Sequence, residues 1–184
     1  MRVISGTAKS IPLKTLKGIN TRPTTDRIKE TLFNMIGNDI YNKSILDLFC
    51  GSASIGIEAL SRGANRGVFV DNNCLLKTII EFNLKKTNLY DRSEIVIKDV
   101  FLALDYLKGK TFDYIFIDPP YGRIDLVSIL NKICKNNLAS CDTIIIIEED
   151  INFDCLVFKN TLFNVSRLKN YKTNKHIFLK KGKN

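Results

Sequence analysis

Asp118-Pro119-Pro120-Tyr121 sets a carboxylate, two rigid backbone corners and an aromatic ring in four consecutive residues, directly after the mostly apolar run 112–117. That run has the length and composition of a buried strand, and two prolines cannot continue its ladder, so the chain must break there. The carboxyl end of a strand is where open α/β sheets bind ligands. Asp118 can accept hydrogen bonds from an amino group, Pro119 fixes the backbone angle behind it, and Tyr121 offers a face to a flat heterocycle. An exocyclic amine on a planar base fits this set.

A second constellation lies upstream. Asp47-Leu48-Phe49-Cys50-Gly51-Ser52-Ala53-Ser54-Ile55-Gly56 reads as a strand end, a small-residue turn and a helix start. Such a turn lets a ligand approach backbone amides at a helix N-terminus. The glycine spacing alone is weak, with Ala53 where the stricter fingerprint has glycine, and no Gly-Lys-Ser/Thr follows to suggest a nucleotide triphosphate site. The stronger signal is Val68-Phe69-Val70-Asp71, which ends the next strand with a carboxylate about 20 residues beyond the turn, the place where such folds hold a ribose. Asp47 would repel a pyrophosphate but suits a ligand with a positive amine, which favours S-adenosylmethionine over NAD. Asp99, after Ile95-Val96-Ile97-Lys98, can accept from an adenine amine or simply cap the next helix. With their neighbours, the expected cofactor residues are Asp47, Phe49, Gly51, Ser52, Gly56, Asp71, Asn72, Asp99 and Val100.

These groups need strands to end where they stand. Strand-like apolar runs at 44–49, 67–71, 94–98, 112–117 and 142–147 alternate with helical stretches near 54–62, 74–88, 99–108 and 124–137. That alternation predicts an α/β fold of right-handed βαβ units, with a mostly parallel sheet and helices on both faces. After Asp154 the runs Leu162-Phe163-Asn164-Val165 and His176-Ile177-Phe178-Leu179 have no helix-length segment between them and predict an antiparallel hairpin at the sheet edge. Upstream, the β-prone runs at 2–5 and 11–14 predict a hairpin or extended arm. Cap candidates Thr24-Thr25-Asp26 and apolar residues at helical spacing predict an amphipathic helix over 25–37.

Composition sets the frame. A chain of 184 residues, 45% hydrophobic, can bury one domain with an appendage, divided at 1–40 and 41–184. No stretch approaches the roughly 18 apolar residues that span a bilayer, and the start lacks a secretory leader's apolar region, so a cytoplasmic protein is expected. Five cysteines without a Cys-x-x-Cys pair signal neither a disulfide framework nor a zinc site and read as mostly buried small hydrophobes; no metal is expected. His176, the only histidine, reads as a surface or packing residue. The net charge of +9 is uneven: residues 1–30 carry +5 and 159–184 carry +8, while the rest carries −4. Basic ends around an acidic body predict a polyanion surface, with Arg27 and Lys29 among its contacts.

In this order and spacing, Asp47-x-Phe49-x-Gly51, Asp71, Asp99 and Asp118-Pro119-Pro120-Tyr121 resemble the class I S-adenosylmethionine-dependent amino-methyltransferases. Met1-Arg2-Val3-Ile4-Ser5-Gly6, the segment from Thr21-Arg22-Pro23-Thr24 to Asn34, and Glu58-Ala59-Leu60-Ser61-Arg62-Gly63-Ala64 resemble the RsmD family, the bacterial 16S rRNA guanine-N2 methyltransferases. The resemblance covers nearly the whole chain; Ala53 and the lack of a glycine after Tyr171 depart from it. It implies a Rossmann-like methyltransferase domain with a small N-terminal extension, acting as a monomer on 16S rRNA or an assembling small subunit. Asp118 and the Pro119 carbonyl would hold the amine, Pro120 and Tyr121 would complete the catalytic set with Tyr121 stacking on an extruded base, and Arg22 and Thr24 would close over the cofactor or target nucleotide. A DNA adenine-N6 methyltransferase shares the Asp-Pro-Pro-Tyr chemistry, but no separate recognition domain is evident. A cytosine-C5 enzyme needs a Pro-Cys nucleophile that the chain lacks. A non-catalytic RNA-binding assembly protein would have little use for Asp71 and Asp118.

Overall fold

Apolar side chains alternate along every central strand, and in a computed structural model describing residues 1–16 and 26–182 this alternation produces two cores, one on each side of a sheet. The strands are β1 (Ser44–Leu48), β2 (Arg66–Asp71), β3 (Ser93–Ile97), β4 (Phe112–Ile117), β5 (Ala139–Asp150), β6 (Phe163–Asn170) and β7 (Asn174–Lys181). The helices are α1 (Asp26–Ile36), α2 (Ser54–Ser61), α3 (Leu76–Lys86), α4 (Val100–Tyr106) and α5 (Leu126–Lys135). The sheet order is β3-β2-β1-β4-β5-β7-β6. The pairs joining β3, β2, β1, β4 and β5 are parallel, and β7 pairs antiparallel with both β5 and β6. The expected architecture and C-terminal hairpin are therefore present.

Leu48, Val70, Ile117, Ile147 and Ile177 bury one face under α4 and α5. Ile45, Phe69, Phe116, Ile146 and Phe178 bury the other with α1, α2, α3 and the N-terminal arm. Full burial of each such side chain is worth about 1.5–3 kcal/mol against the unfolded chain. β5 is longer than its apolar run predicts. It begins with a register shift after Ala139 and ends with Glu148, Glu149 and Asp150 paired to His176, Lys175 and Asn174 of β7. β6, the exposed edge, is protected by charges such as Arg167 and Lys169.

Residues 1–16 form a small irregular hairpin, with Val3 N–H bonded to the Ile11 carbonyl at 3.0 Å and Ser10 N–H to the Val3 carbonyl at 2.9 Å. Gly6 adopts φ +83 where the arm crosses the end of α2; a Cβ there would lie 1.8 Å from the Ser61 carbonyl oxygen. Asn83 of α3 joins the arm to the body. Its side chain bonds Lys14 N–H (2.8 Å) and the Lys14 carbonyl (2.9 Å), and donates to the Ser52 carbonyl at 3.0 Å.

One minor expectation needs correction. None of the five cysteines is fully buried, and Cys74 and Cys141 are exposed, because they fall in a turn and at the irregular start of β5. Of the two roles expected for His176, packing is the one found: it is buried and hydrogen-bonded. Among the described residues no helix is long and apolar enough to cross a membrane.

Candidate active site

The turn after β1 is shaped by three left-handed residues at alternate positions: Phe49 (φ 59), Gly51 (φ 54) and Ala53 (φ 64). For the two residues that carry a Cβ this costs on the order of 1–2 kcal/mol each, the kind of strain that clusters at ligand sites. Ala53, the anticipated departure, accepts that conformation directly before α2. Beyond Gly51 there is open space, with nothing within 4 Å of where a Cβ would stand, so a ligand can approach the backbone. Ser52 is half buried beside Asn83.

Gly56 does not belong to that open surface, contrary to the expectation that it contacts the cofactor. It lies inside α2, donates its N–H to Asp47 Oδ2 at 2.9 Å, and leaves only enough room for the Phe69 ring. A Cβ there would stand 2.3 Å from Phe69 Cε1 and 3.0 Å from Asp47 Oδ2. Phe69 is fully buried and cannot yield, so Gly56→Ala should destabilise the fold by about 1–3 kcal/mol, read as a lower urea midpoint. An unchanged midpoint would contradict this packing role.

Asp47 is buried, and that burial pushes its carboxyl up to about 7; the Gly56 N–H works against the shift, and the charge of Asp71 adds to it. Its Oδ1 takes no hydrogen bond from the described residues, which leaves that oxygen for a ligand amine. Asp71, at the end of β2, braces the turn by accepting from Gly51 N–H at 2.9 Å and from Asn73 N–H at 2.9 Å. Carboxylate oxygens accept more than one hydrogen bond, so these contacts leave capacity for ribose hydroxyls. Asn72 is exposed beside it. Asp99 does cap a helix: Oδ1 accepts from Phe101 N–H at 2.9 Å, while its other oxygen faces no donor among the described residues. Val100 packs into the core beneath it. Three strand-end acids, an open glycine backbone and a helix N-terminus fit an adenosyl amino acid with a positive amine.

Asp118 follows β4. The register sets Ile117 beside Leu48 of β1 and Ile147 of β5, so Asp118 stands one step beyond both, between the turn and Glu148. Burial pushes its carboxyl well above the ordinary carboxylate range, with the charges of Glu148, Asp47 and Glu149 adding to the shift. Pro119 is buried, Pro120 is exposed, and Tyr121 is half buried with its hydroxyl donating to Glu148 Oε1 at 3.1 Å. Burial also works against ionisation of Glu148, but hydrogen bonds from His176, Tyr121 and Asn174 outweigh it and hold that carboxyl below its usual value. Of the two neighbouring acids, Glu148 is thus the one whose charge its surroundings favour, and Asp118 the one whose charge they oppose. Glu148 was not anticipated from the sequence.

The expected substrate residues separate. Arg22 and Thr24 lie outside the described residues, and Arg27 is exposed on α1. Lys29 is a correction. Its side chain is wholly buried, 3.4 Å from Glu58 and donating to the Arg2 carbonyl at 2.6 Å, so it cannot reach a phosphate. It stands on the inner face of α1 with Leu32, Phe33 and Ile36, a placement that charge counting cannot see.

Comparison with known proteins bears on all of this. The family described as Conserved hypothetical protein 95 matches residues 1–180. YlbH of Bacillus subtilis, whose name carries rRNA methyltransferase as a provisional assignment, is 41% identical over 152 residues, covering 82% of this chain and 83% of its own. Ribosomal RNA small subunit methyltransferase D of Haemophilus influenzae is 32% identical over 154 residues, 82% and 79% of the two chains. The solved structure of the Escherichia coli methyltransferase yhhF, also provisionally so called, superimposes with TM-score 0.84 at 26% identity, covering 98% of this chain and 97% of that one.

Proposed function

This chain belongs to the RsmD family of methyltransferases, and from that premise we propose that it methylates the exocyclic N2 amine of one guanosine in 16S rRNA, with S-adenosylmethionine as donor. The observation that carries the reading is the placement of Asp118 one step beyond Leu48 of β1, within the electrostatic reach of Asp47, with Tyr121 three residues on, where an amine and a cofactor would meet. Bound S-adenosylmethionine supplies an electrophilic methyl group. The protein's part is orientation and proton acceptance: ionised Asp118 and the Pro119 carbonyl accept the two amine hydrogens and turn the nitrogen lone pair toward the methyl, and the proton that the amine gives up on methylation passes to Asp118. Tyr121 stacks on the base, which must leave its helix or loop to reach the site. Arg22, Thr24 and Arg27 then contact the cofactor or the surrounding RNA. The reading places the protein in the cytoplasm, as a monomer acting on free rRNA or an assembling small subunit.

The test is the product. Incubation with labelled S-adenosylmethionine and small-subunit particles lacking the modification, followed by digestion to nucleosides, should give N2-methylguanosine at one site. Label in N6-methyladenine of duplex DNA, with rRNA unmodified, would overturn the substrate assignment. Cofactor binding is tested separately: Asp71→Ala should weaken S-adenosylhomocysteine by roughly 1–3 kcal/mol in calorimetry, the cost of losing a hydrogen bond to a charged group. Unaltered affinity would remove Asp71 from the site.

A further inference from the structure

Glu148, at the end of β5, pairs in register with His176 of β7, and its carboxylate is saturated from one side of the sheet. Asn174 Nδ2 donates to Oε1 at 2.6 Å, and His176 Nε2 lies 3.2 Å from Oε2. His176 Nδ1 in turn lies 2.9 Å from the Tyr171 hydroxyl, whose ring meets the imidazole edge-on at 5.1 Å. An ionised Glu148 can only accept, so the imidazole presents an N–H to it at Nε2 and hydrogen-bonds the Tyr171 hydroxyl through Nδ1. Asn174 and His176 are each 1% exposed. Burying a carboxylate is expensive, and the strands it joins already hold each other through their backbone ladder. Among the described residues, the one hydrogen bond that Glu148 accepts from outside β7 comes from Tyr121.

We propose that Glu148, held by Asn174 and by the His176–Tyr171 pair, is a positioning residue that fixes the ring of Tyr121 for the target base. The inference rests on the reading that Tyr121 stacks on that base. Pro119 and Pro120 constrain the backbone leading to Tyr121, and Gly122 turns it away at φ +66, so the side-chain torsions are the freedom left. Anchoring the hydroxyl removes that freedom before the base arrives, and pre-ordering a contact residue lowers the cost of binding.

The ring is observable without substrate. In the full chain labelled with ring-13C tyrosine, Tyr121, assigned by its loss in Tyr121→Phe, should give one narrow set of resonances that shifts and broadens in Glu148→Ala and in His176→Ala. Glu148→Gln should keep it, because the amide still accepts from Tyr121 and the imidazole can exchange tautomer to match. In methyl transfer, Tyr121→Phe and Glu148→Ala should each lower kcat/KM for RNA by about tenfold, with the double variant no worse than the worse single one and S-adenosylhomocysteine affinity within about twofold. Should Glu148→Ala fail to fold, Tyr171→Phe, which removes only the outermost hydroxyl, should shift the ring in the same direction. An unchanged Tyr121 resonance in Glu148→Ala or Tyr171→Phe, or losses that multiply in the double variant, would overturn the proposal. If the wild-type chain methylates no guanosine, the substrate reading fails while the resonances still decide the positioning.

Discussion

Asp118→Ala should reduce methyl transfer by roughly 10²–10⁴-fold, the range for a positioned group that handles the reacting proton, and leave S-adenosylhomocysteine affinity nearly unchanged. The separation follows from where Asp118 stands in the sheet. Asp118 lies beyond β4, next to Glu148, whereas the turn is braced by Asp47 and Asp71 of β1 and β2. The same environment fixes the pH dependence. The carboxylate is the form that accepts an amine hydrogen beside the Pro119 carbonyl without offering a proton of its own, and burial and three neighbouring acids favour the protonated form. As pH rises through this elevated pKa the active form appears, so kcat/KM should climb above the ordinary carboxylate range. Asp118→Asn, always an amide, should lose that rise along with most of the rate. Proportional loss of cofactor affinity and turnover would make Asp118 a structural member of the pocket and end the proposed mechanism.

What the sequence revealed and what it concealed divide along a physical line. A carboxylate that ends an apolar run is legible because burial and strand termination are written in consecutive residues; Asp71, Asp99 and Asp118 are all of this kind. Glu148 ends an apolar run too, but Glu149 and Asp150 follow it and hide which acid faces inward. Its partners, His176 and Asn174, reach it only through the antiparallel register of β5 and β7, and register between distant strands leaves no local trace. Gly56 shows the opposite failure. Its spacing resembles a ligand-binding glycine, while the constraint upon it comes from the Phe69 ring on a neighbouring strand. Lys29 was counted as surface charge because lysines seldom lose all their exposure, and only a carboxylate on another helix makes such burial tolerable.

That buried pair carries the largest effect on stability. Glu58 accepts from Ile4 N–H at 2.7 Å, Ser5 N–H at 3.0 Å and Arg62 Nε at 2.8 Å, besides facing Lys29. Four donors from the arm, α1 and α2 thus converge on one carboxylate, and both Glu58 and Lys29 side chains are 0% exposed. Burial holds the Lys29 ammonium below its usual pKa even though Glu58 pulls it upward, so the charged pair depends on its partner. Glu58→Ala would leave an ammonium in the core with only the Arg2 carbonyl, and two arm N–H groups unpaired. The expected cost is about 3–5 kcal/mol in urea unfolding, as for other buried pairs broken on one side. Lys29→Met should cost clearly less, because Glu58 keeps three donors and the methionine fills the same volume. Adding Lys29→Met to Glu58→Ala should recover part of the loss, since no unpaired charge then remains inside. If Lys29→Met proved the more damaging single change, or the two costs simply summed, the carboxylate would not be the hub that fastens the arm and α1 to α2.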